Sequence, residues 1–498
     1  MLKHKQLLSA KKKQAGKKKS EVLLDANEFL AVGVDFEEAG EKWRAGDAAK
    51  SLRFFVRAVD AYDAGLRKFP RSFDLSYNKA RLQYEVAQQP RLIEHLPTPL
   101  IELLQTTLDS HRLALTIDQD NADLLFNTAQ VMTSLAEAIS EGENPFRSPQ
   151  DEALRLFQES LELFQRCLSV QEIKLTEDQE KSTQRAQPPP DDDSTDSINS
   201  AASNASEEEI WASMEEPVTK DALLDTTIAQ VDTLTAICGL GSSHTGLAWV
   251  EEYYCTTLKD KVLFYVDGSS RHNEIALAQA KFTCALSDAA FRGGRLDLPT
   301  YENEVNAAFT SQDLDLSNDP RSLCDKADAE LAFNASVQAA LQQAQPTEMA
   351  QISRICWKHI TRALDSLTAA SKLPGAQNLP RIHLRRGDCE LLRLHLGEAP
   401  LKYDLAIKSA QTLLKNTEVY FRGAANLAKT DVVTEEEQNE VKVKHSIAAG
   451  LAGDTERLSF LVKTQRDLVE SIVEEMRDDG LLGAGGLHKI GTMLDINR

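Results

Sequence analysis

The chain has 498 residues, of which 42% are apolar and 6% aromatic, and its formal net charge is −21. An acidic excess of that size repels phosphate backbones, so the body of the chain is not read as a direct nucleic-acid binder. No apolar run approaches the ~18 residues that a bilayer span requires, and the lysine-bearing N-terminus adjoins no signal-peptide core, so membrane insertion and secretion are not expected.

Residues 1–25 form a polar, Lys-rich leader that has too little apolar surface to fold and is expected to be disordered. Within it Lys3, Lys5, Lys11, Lys12, Lys13, Lys17, Lys18 and Lys19 stand without an acid up to residue 19. The clusters Lys11, Lys12, Lys13 and Lys17, Lys18, Lys19 have the form of a nuclear import signal that importin would read; the other functional reading is an electrostatic contact to RNA.

Helical hairpins are expected over 26–170, the first clear one opening near Asp35. Ala39 and Trp43 lie on one helix, and after a Gly46-Asp47 turn Ser51, Leu52, Phe55, Ala58, Val59 and Tyr62 keep a single apolar stripe. Further on, Tyr77, Asn78, Ala80, Leu82, Val86 and Ala87 recur at the same spacing as Phe126, Asn127, Ala129, Val131, Leu135 and Ala136, each set preceded by an aspartate, Asp74 and Asp123. Self-similarity at helical spacing is the mark of stacked hairpins. Partner helices are placed at about 100–115, entered through Pro97 and Pro99, and at 150–170.

These residues carry a resemblance. The stretch from Gly46 to Val59 resembles the second helix of a tetratricopeptide (TPR) repeat, Ser72 to Ala87 is similar to the family's first helix, and Asp118 to Asp123 is similar to its linker. Pro70 comes about seven residues later than in that family, close to two helical turns, so the buried stripe keeps its side. The resemblance implies an all-α solenoid of helical hairpins wound as a right-handed superhelix, working as a binding surface. It does not extend to the clamp with which some members hold a C-terminal carboxylate: Gly40, Arg81 and Gln130 stand where that clamp needs Asn, and Phe36, Tyr77 and Phe126 where it needs Lys. Asn78 and Asn127 are read instead as bonding local backbone.

Residues 171–218 are expected to be an acidic, disordered insertion. Between 176 and 217 twelve acids face only Lys181 and Arg185, a net charge of −10. The candidate partner-binding residues are Asp191, Asp192, Asp193, Glu207, Glu208 and Glu209, which can neutralise Lys/Arg-rich polypeptides without fixed geometry, and Trp211 and Met214, an apolar pair that can dock as a folding-on-binding anchor. Ser206, before three glutamates, is a candidate for phosphorylation by an acid-directed kinase.

From 219 to 478 the helical period continues in degenerate hairpins, closed by a terminal helix with Leu458, Leu461, Val462, Leu468, Val469, Ile472, Val473 and Met476 at three-and-four spacing; 479–498 is read as a tail. Nothing along the chain assembles an active site. Cys356, His359, His383 and Cys389 are too scattered for a metal, and the glycines at 239, 241 and 246 and at 483, 485 and 486 follow no strand and lack the lysine of a phosphate loop. Seven unpaired cysteines read as reduced core residues of a cytoplasmic and nuclear protein.

The sequence thus predicts a non-catalytic TPR-like scaffold with no metal or cofactor. The combined lysine leader, acidic body and acidic insertion resembles the fungal TPR chaperones of new ribosomal proteins and the histone chaperones with an acid-interrupted TPR array. The resemblance implies an escort for a basic protein client, in ribosome assembly first and on histones second; the other reading is a structural adaptor within a larger complex.

Overall fold

The computed structural model describes residues 25–141, 148–185, 218–240, 244–343, 348–429 and 433–496. Every regular element among them is helical. The leader lysines and the whole of 186–217, with all eight candidate partner-binding residues, lie outside the described residues.

The first helices start where side chains can satisfy the orphan N–H groups of a first turn. Helix α1 (Ala26–Trp43) opens on a reciprocal cap, in which Asp25 accepts from the Glu28 amide and the Glu28 carboxylate accepts from the Asp25 amide. Asp47 accepts from the Lys50 amide to open α2 (Ala48–Lys68). Then come α3 (Phe73–Ala87), the single turn α4 (Pro90–Ile93), α5 (Leu100–Ile117), α6 (Ala122–Glu141) and α7 (Pro149–Arg185). Helix α8 (Lys220–Gly239) and α9 (His244–Tyr253) follow, and a π-helical turn (Tyr254–Leu258) leads into α10 (Lys259–Val266). The remainder is α11 (His272–Arg292), α12 (Leu298–Ala308), α13 (Pro320–Ala339), α14 (Met349–Ala370), α15 (Leu379–His395), α16 (Asp404–Leu427), α17 (Glu435–Ala452), α18 (Glu456–Thr464), α19 (Arg466–Asp478) and α20 (Ala484–Ile496).

The chain divides into two compact units. One holds the residues up to Val86, Thr98–Gln230 and Lys261–Ser269; the other holds Ala87–Pro97, Val231–Asp260 and the residues from Ser270 on. In the first, α1 packs on α2 and α6 on α7, while α3 meets α5 through the edge-on contact of the Tyr84 ring with His111. Polar contacts join α1 to α3 and α3 to α6, and Arg112 reaches from α5 to Glu159 on α7. The first helices of the hairpins therefore make one layer and the second helices another. The second unit repeats the plan with α11/α12, α13/α14, α15/α16 and α17/α18, and α19 and α20 close over α17 and α18.

One packing rule recurs in the second helix of the hairpins. A small residue, then four on a large one, then three on another small one, are all buried: Ser51, Phe55, Ala58 in α2; Thr107, His111, Ala114 in α5; Ser160, Phe164, Cys167 in α7; Cys356, Ile360, Ala363 in α14; Thr417, Phe421, Ala424 in α16. Spacings of four and three keep such a triplet on one face. The large residue presses on its partner helix where that helix is smallest: a Cβ on Gly40 would lie 2.6 Å from the Phe55 ring, and one on Gly387 2.2 Å from Phe421.

The structure differs from the sequence reading at four places. Helix α7 continues from the expected end at 170 to Arg185, because no Gly or Pro interrupts it and Glu172 accepts hydrogen bonds from Lys261 and the Tyr265 hydroxyl. The division between the units falls after Gln230 inside α8, and Lys261–Ser269 joins the first unit. The single terminal helix is broken into α18 and α19 at Gln465, whose extended backbone (φ −145°, ψ 54°) cannot continue a helix. The expected tail carries α20, held by buried Leu481, Leu482 and Ile490 and by Glu398, which accepts from the Gly485 amide. No helix among the described residues is long and apolar enough to cross a membrane.

Candidate functional site

The first-helix layer of the first unit carries a connected lattice of charged side chains next to the repeat residues. Spacings of four and three place Glu37 and Glu41 along one side of α1 and Arg44 at its C-cap in line with them, and Tyr77, Arg81 and Glu85, four apart, along α3. Arg81 bonds Glu37 across the two helices and Glu85 one turn on, the latter at 3.0 Å. Arg44 in turn bonds Glu41 and Glu85. The Tyr62 hydroxyl donates to Glu37 at 2.5 Å from behind the layer.

The electrostatics follow from this lattice. Burial and the Glu37 carboxylate push the Tyr62 phenol far up. Tyr77 is pushed up to about 12 by burial and by Asp123. Burial would lower Arg81, but Glu37 and Glu85 outweigh it and hold the guanidinium charged; burial would raise Glu85, but Arg44 and Arg81 outweigh it and hold the carboxylate ionised. Three carboxylates, Glu37, Glu41 and Glu85, thus share the two guanidiniums of Arg44 and Arg81.

Gly40, not Ala39, is the small contact residue of the first hairpin, since Gly40 is the one pressed against Phe55. The residue after it is Glu41 and the one three before it is Glu37, so the carboxylate-clamp positions are acidic there. Asn78 donates to the Asp74 carbonyl at 2.8 Å, whereas Asn127 reaches the Tyr77 hydroxyl at 3.5 Å, from α6 to α3.

The other motifs have structural occupants. His359, on α14, is buried; its Nδ1 pairs with Glu330 of α13, and its ring stacks on Phe333 at 4.0 Å. Among the described residues no group of three or more His, Cys, Asp or Glu side chains could hold a metal. A Cβ on Gly483 would strike the Glu398 carboxylate at 2.3 Å, so a carboxylate lies where a phosphate loop would need an anion-binding space. Sequence reasoning missed Glu37, Glu41, Arg44 and Glu85 as a set. The signal was present, because fixing the hairpin frame on Gly40 brings Glu37 and Glu41 to the positions that Tyr77 and Arg81 hold in the next hairpin.

No protein-family profile matches the chain. Over 132 residues, 26% of this chain, it is 35% identical to UPF0656 protein C926.02 of Schizosaccharomyces pombe, of which the match covers 28%. Over 74 residues, 14% of the chain, it is 28% identical to Uncharacterized protein YNL193W of Saccharomyces cerevisiae, covering 13% of that protein. The chain thus matches well under two thirds of either relative. Among solved structures, the Schizosaccharomyces pombe nuclear import adaptor Nro1 aligns over 83% of this chain and 97% of its own, with 10% identity and a TM-score of 0.30. A circular tandem repeat protein aligns over 91% and 97%, with 12% identity and a TM-score of 0.28. Both likenesses are too loose to bear on function.

Proposed function

We propose that this chain is a non-catalytic, TPR-like scaffold that escorts a basic protein client, a ribosomal protein during ribosome assembly being the first candidate and a histone the second. The observation that carries the reading is where the negative charge resides. Taking the +8 of residues 1–19 and the −10 of residues 176–217 out of the total of −21 leaves −19 on the rest of the chain, so the helical body is itself acidic. On the first-helix layer the guanidiniums are already held between carboxylates, so the surplus there is negative. A Lys/Arg-rich polypeptide finds there a field that draws it in over about a Debye length, ~8 to 10 Å at physiological ionic strength. Carboxylates from 191–193 and 207–209 would add to that field, and the leader lysines would serve nuclear entry through importin, giving a protein that works in both cytoplasm and nucleus.

The test is affinity purification of the full chain followed by mass spectrometry and a salt titration. The escort reading expects one Lys/Arg-rich partner, released as ionic strength rises from ~0.1 to ~0.5 M. Neutral partners that survive 0.5 M salt would replace it with the adaptor reading.

A further inference from the structure

Two large apolar side chains stand next to each other on the surface of the first unit. Leu263 and Phe264 on α10 are 57% and 67% exposed, and Ile173 on α7 is 60% exposed. The helices carrying them are tied at that level, since Glu172, the residue before Ile173, accepts from Lys261 and from Tyr265. Phe264 packs edge-on against Tyr265, with ring centroids 5.6 Å apart, and the exposed Lys220 at the start of α8 holds its ammonium 5.5 Å from the Phe264 ring centroid. The patch is thus apolar at its centre, with the Lys220 ammonium against the Phe264 ring and the exposed Asp260 and Asp267 one helical turn to either side along the same face. Isolated exposed apolar residues need no explanation, but an adjacent Leu-Phe pair on one short helix is the kind of surface that takes a partner.

We propose that this patch is the docking site for the chain's own segment 207–216, in which Ile210, Trp211 and Met214 are flanked by Glu207, Glu208 and Glu209 on one side and Glu215 and Glu216 on the other. Two observations select this occupant. The first is reach: the described chain resumes at Val218, two residues before Lys220, and Trp211 lies seven residues before Val218, a span of at most ~25 Å at 3.3 to 3.6 Å per residue. A segment tethered this closely is present at an effective concentration in the millimolar range, which a free competitor must exceed. The second is complementarity: an apolar core with acidic flanks meets an apolar pair with the Lys220 ammonium beside it. The indole and thioether would cover Leu263 and Phe264 while the carboxylates face the ammonium. This inference is independent of the identity, or the basic character, of any client.

The experiment uses the full chain and a fluorescein-labelled peptide of residues 204–217 as probe. In the Trp211→Ala/Met214→Ala chain the site is vacated, and the peptide is expected to bind at least tenfold more tightly than to the unaltered chain. Adding Leu263→Ser/Phe264→Ser to the vacated chain should abolish binding. Both side chains are exposed, so that variant is expected to keep its helical circular dichroism and melting temperature; Lys220→Glu, which leaves the apolar pair untouched, provides a second variant and should weaken the peptide at least threefold. Equal binding to the vacated and unaltered chains would overturn the proposal, as would binding that survives the Leu263/Phe264 changes. Self-association of the unaltered chain that is lost with Leu263→Ser/Phe264→Ser would overturn it in favour of a second copy as the occupant.

Discussion

The Phe55 ring lies against the backbone of Gly40, so close that a Cβ there would stand 2.6 Å from the ring. The Ser51 hydroxyl fastens the same crossing by donating to the Gly40 carbonyl at 2.8 Å. Because Phe55 is buried, the ring cannot swing into solvent to make room. Gly40→Ala is therefore expected to destabilise the α1/α2 hairpin by about 2 kcal/mol through overpacking, even though alanine is the better helix former. Phe55→Ala should cost about 3 to 5 kcal/mol through the cavity it leaves. Combining Gly40→Ala with Phe55→Leu should cost less than the sum of the single changes, since the smaller side chain makes room for the methyl. Amide exchange of α1 and α2 peptides, read by mass spectrometry, reports this hairpin apart from the rest of the chain; unaltered protection in Gly40→Ala would refute the close contact.

At the position matching Phe55, helix α5 has a histidine. His111 is buried, its Nδ1 is bonded to the Thr107 carbonyl at 2.9 Å, and its ring meets Tyr84 edge-on. Burial pulls it down to about 4, only partly opposed by the Thr107 hydrogen bond. The folded form therefore resists a proton that the unfolded form takes up near pH 6.5, and the unfolded state binds more protons between those values. Stability is complete above pH 6.5, falls as the pH drops toward about 4, and gains no further loss from this group below that. The span corresponds to about 3 kcal/mol at most. His111→Phe should remove this component, so the difference in melting temperature between variant and parent should widen from pH 7 to pH 5. A difference that stays constant would exclude His111 as the titrating group.

The cysteines give a chemical map of the same packing. Cys167, Cys238, Cys284 and Cys356 are buried, and burial pushes each thiol up to about 12, while Cys389 is raised further still. Cys255, exposed in the π-helical turn, stands apart. Brief iodoacetamide treatment of the native chain should label Cys255 first, with the half-buried Cys324 slower and the other five protected until denaturant is added. Peptide mapping checks the order, and rapid labelling of Cys356 or Cys389 would contradict the assigned core.

Much of the fold was legible because its signal is local. Aspartates at the starts of helices, the Gly46-Asp47 turn and the recurring Tyr77 and Phe126 segments each report a hairpin from within about twenty residues. The packing rule of the second helices was harder to read because the large residue changes, from Phe55 to His111 in the first unit and from Ile360 to Phe421 in the second, so residue identity hides a pattern that burial reveals. Just beyond residue 170, Glu172 ties α7 to Lys261 and Tyr265, some ninety positions away, and no window of sequence contains that contact. The charged lattice was hidden by a shift of one residue: with Ala39 as the contact residue, Glu37 and Glu41 leave the shared face, and with Gly40 they join it.

That lattice makes opposite predictions for stability and for binding. Arg81 is the link between Glu37 and Glu85, and Tyr62, fully buried, supports Glu37 from behind. Arg81→Met should lower stability by about 1 to 3 kcal/mol, because it leaves carboxylates crowded together without their cation. Tyr62→Phe should cost about 1 kcal/mol for the lost hydrogen bond. In a Glu37→Gln background the Arg81 change should cost less, which a double-mutant cycle by urea unfolding measures as a coupling between the two. Removing the guanidinium also uncovers negative charge on the proposed client-facing layer. An arginine-rich peptide should therefore bind Arg81→Met severalfold more tightly at ~0.1 M salt, and the gain should disappear near ~0.5 M. A salt bridge of purely structural importance would weaken the fold and leave peptide binding unchanged; a variant that is less stable and yet binds more tightly identifies the α1 and α3 carboxylates as the surface that meets the cation.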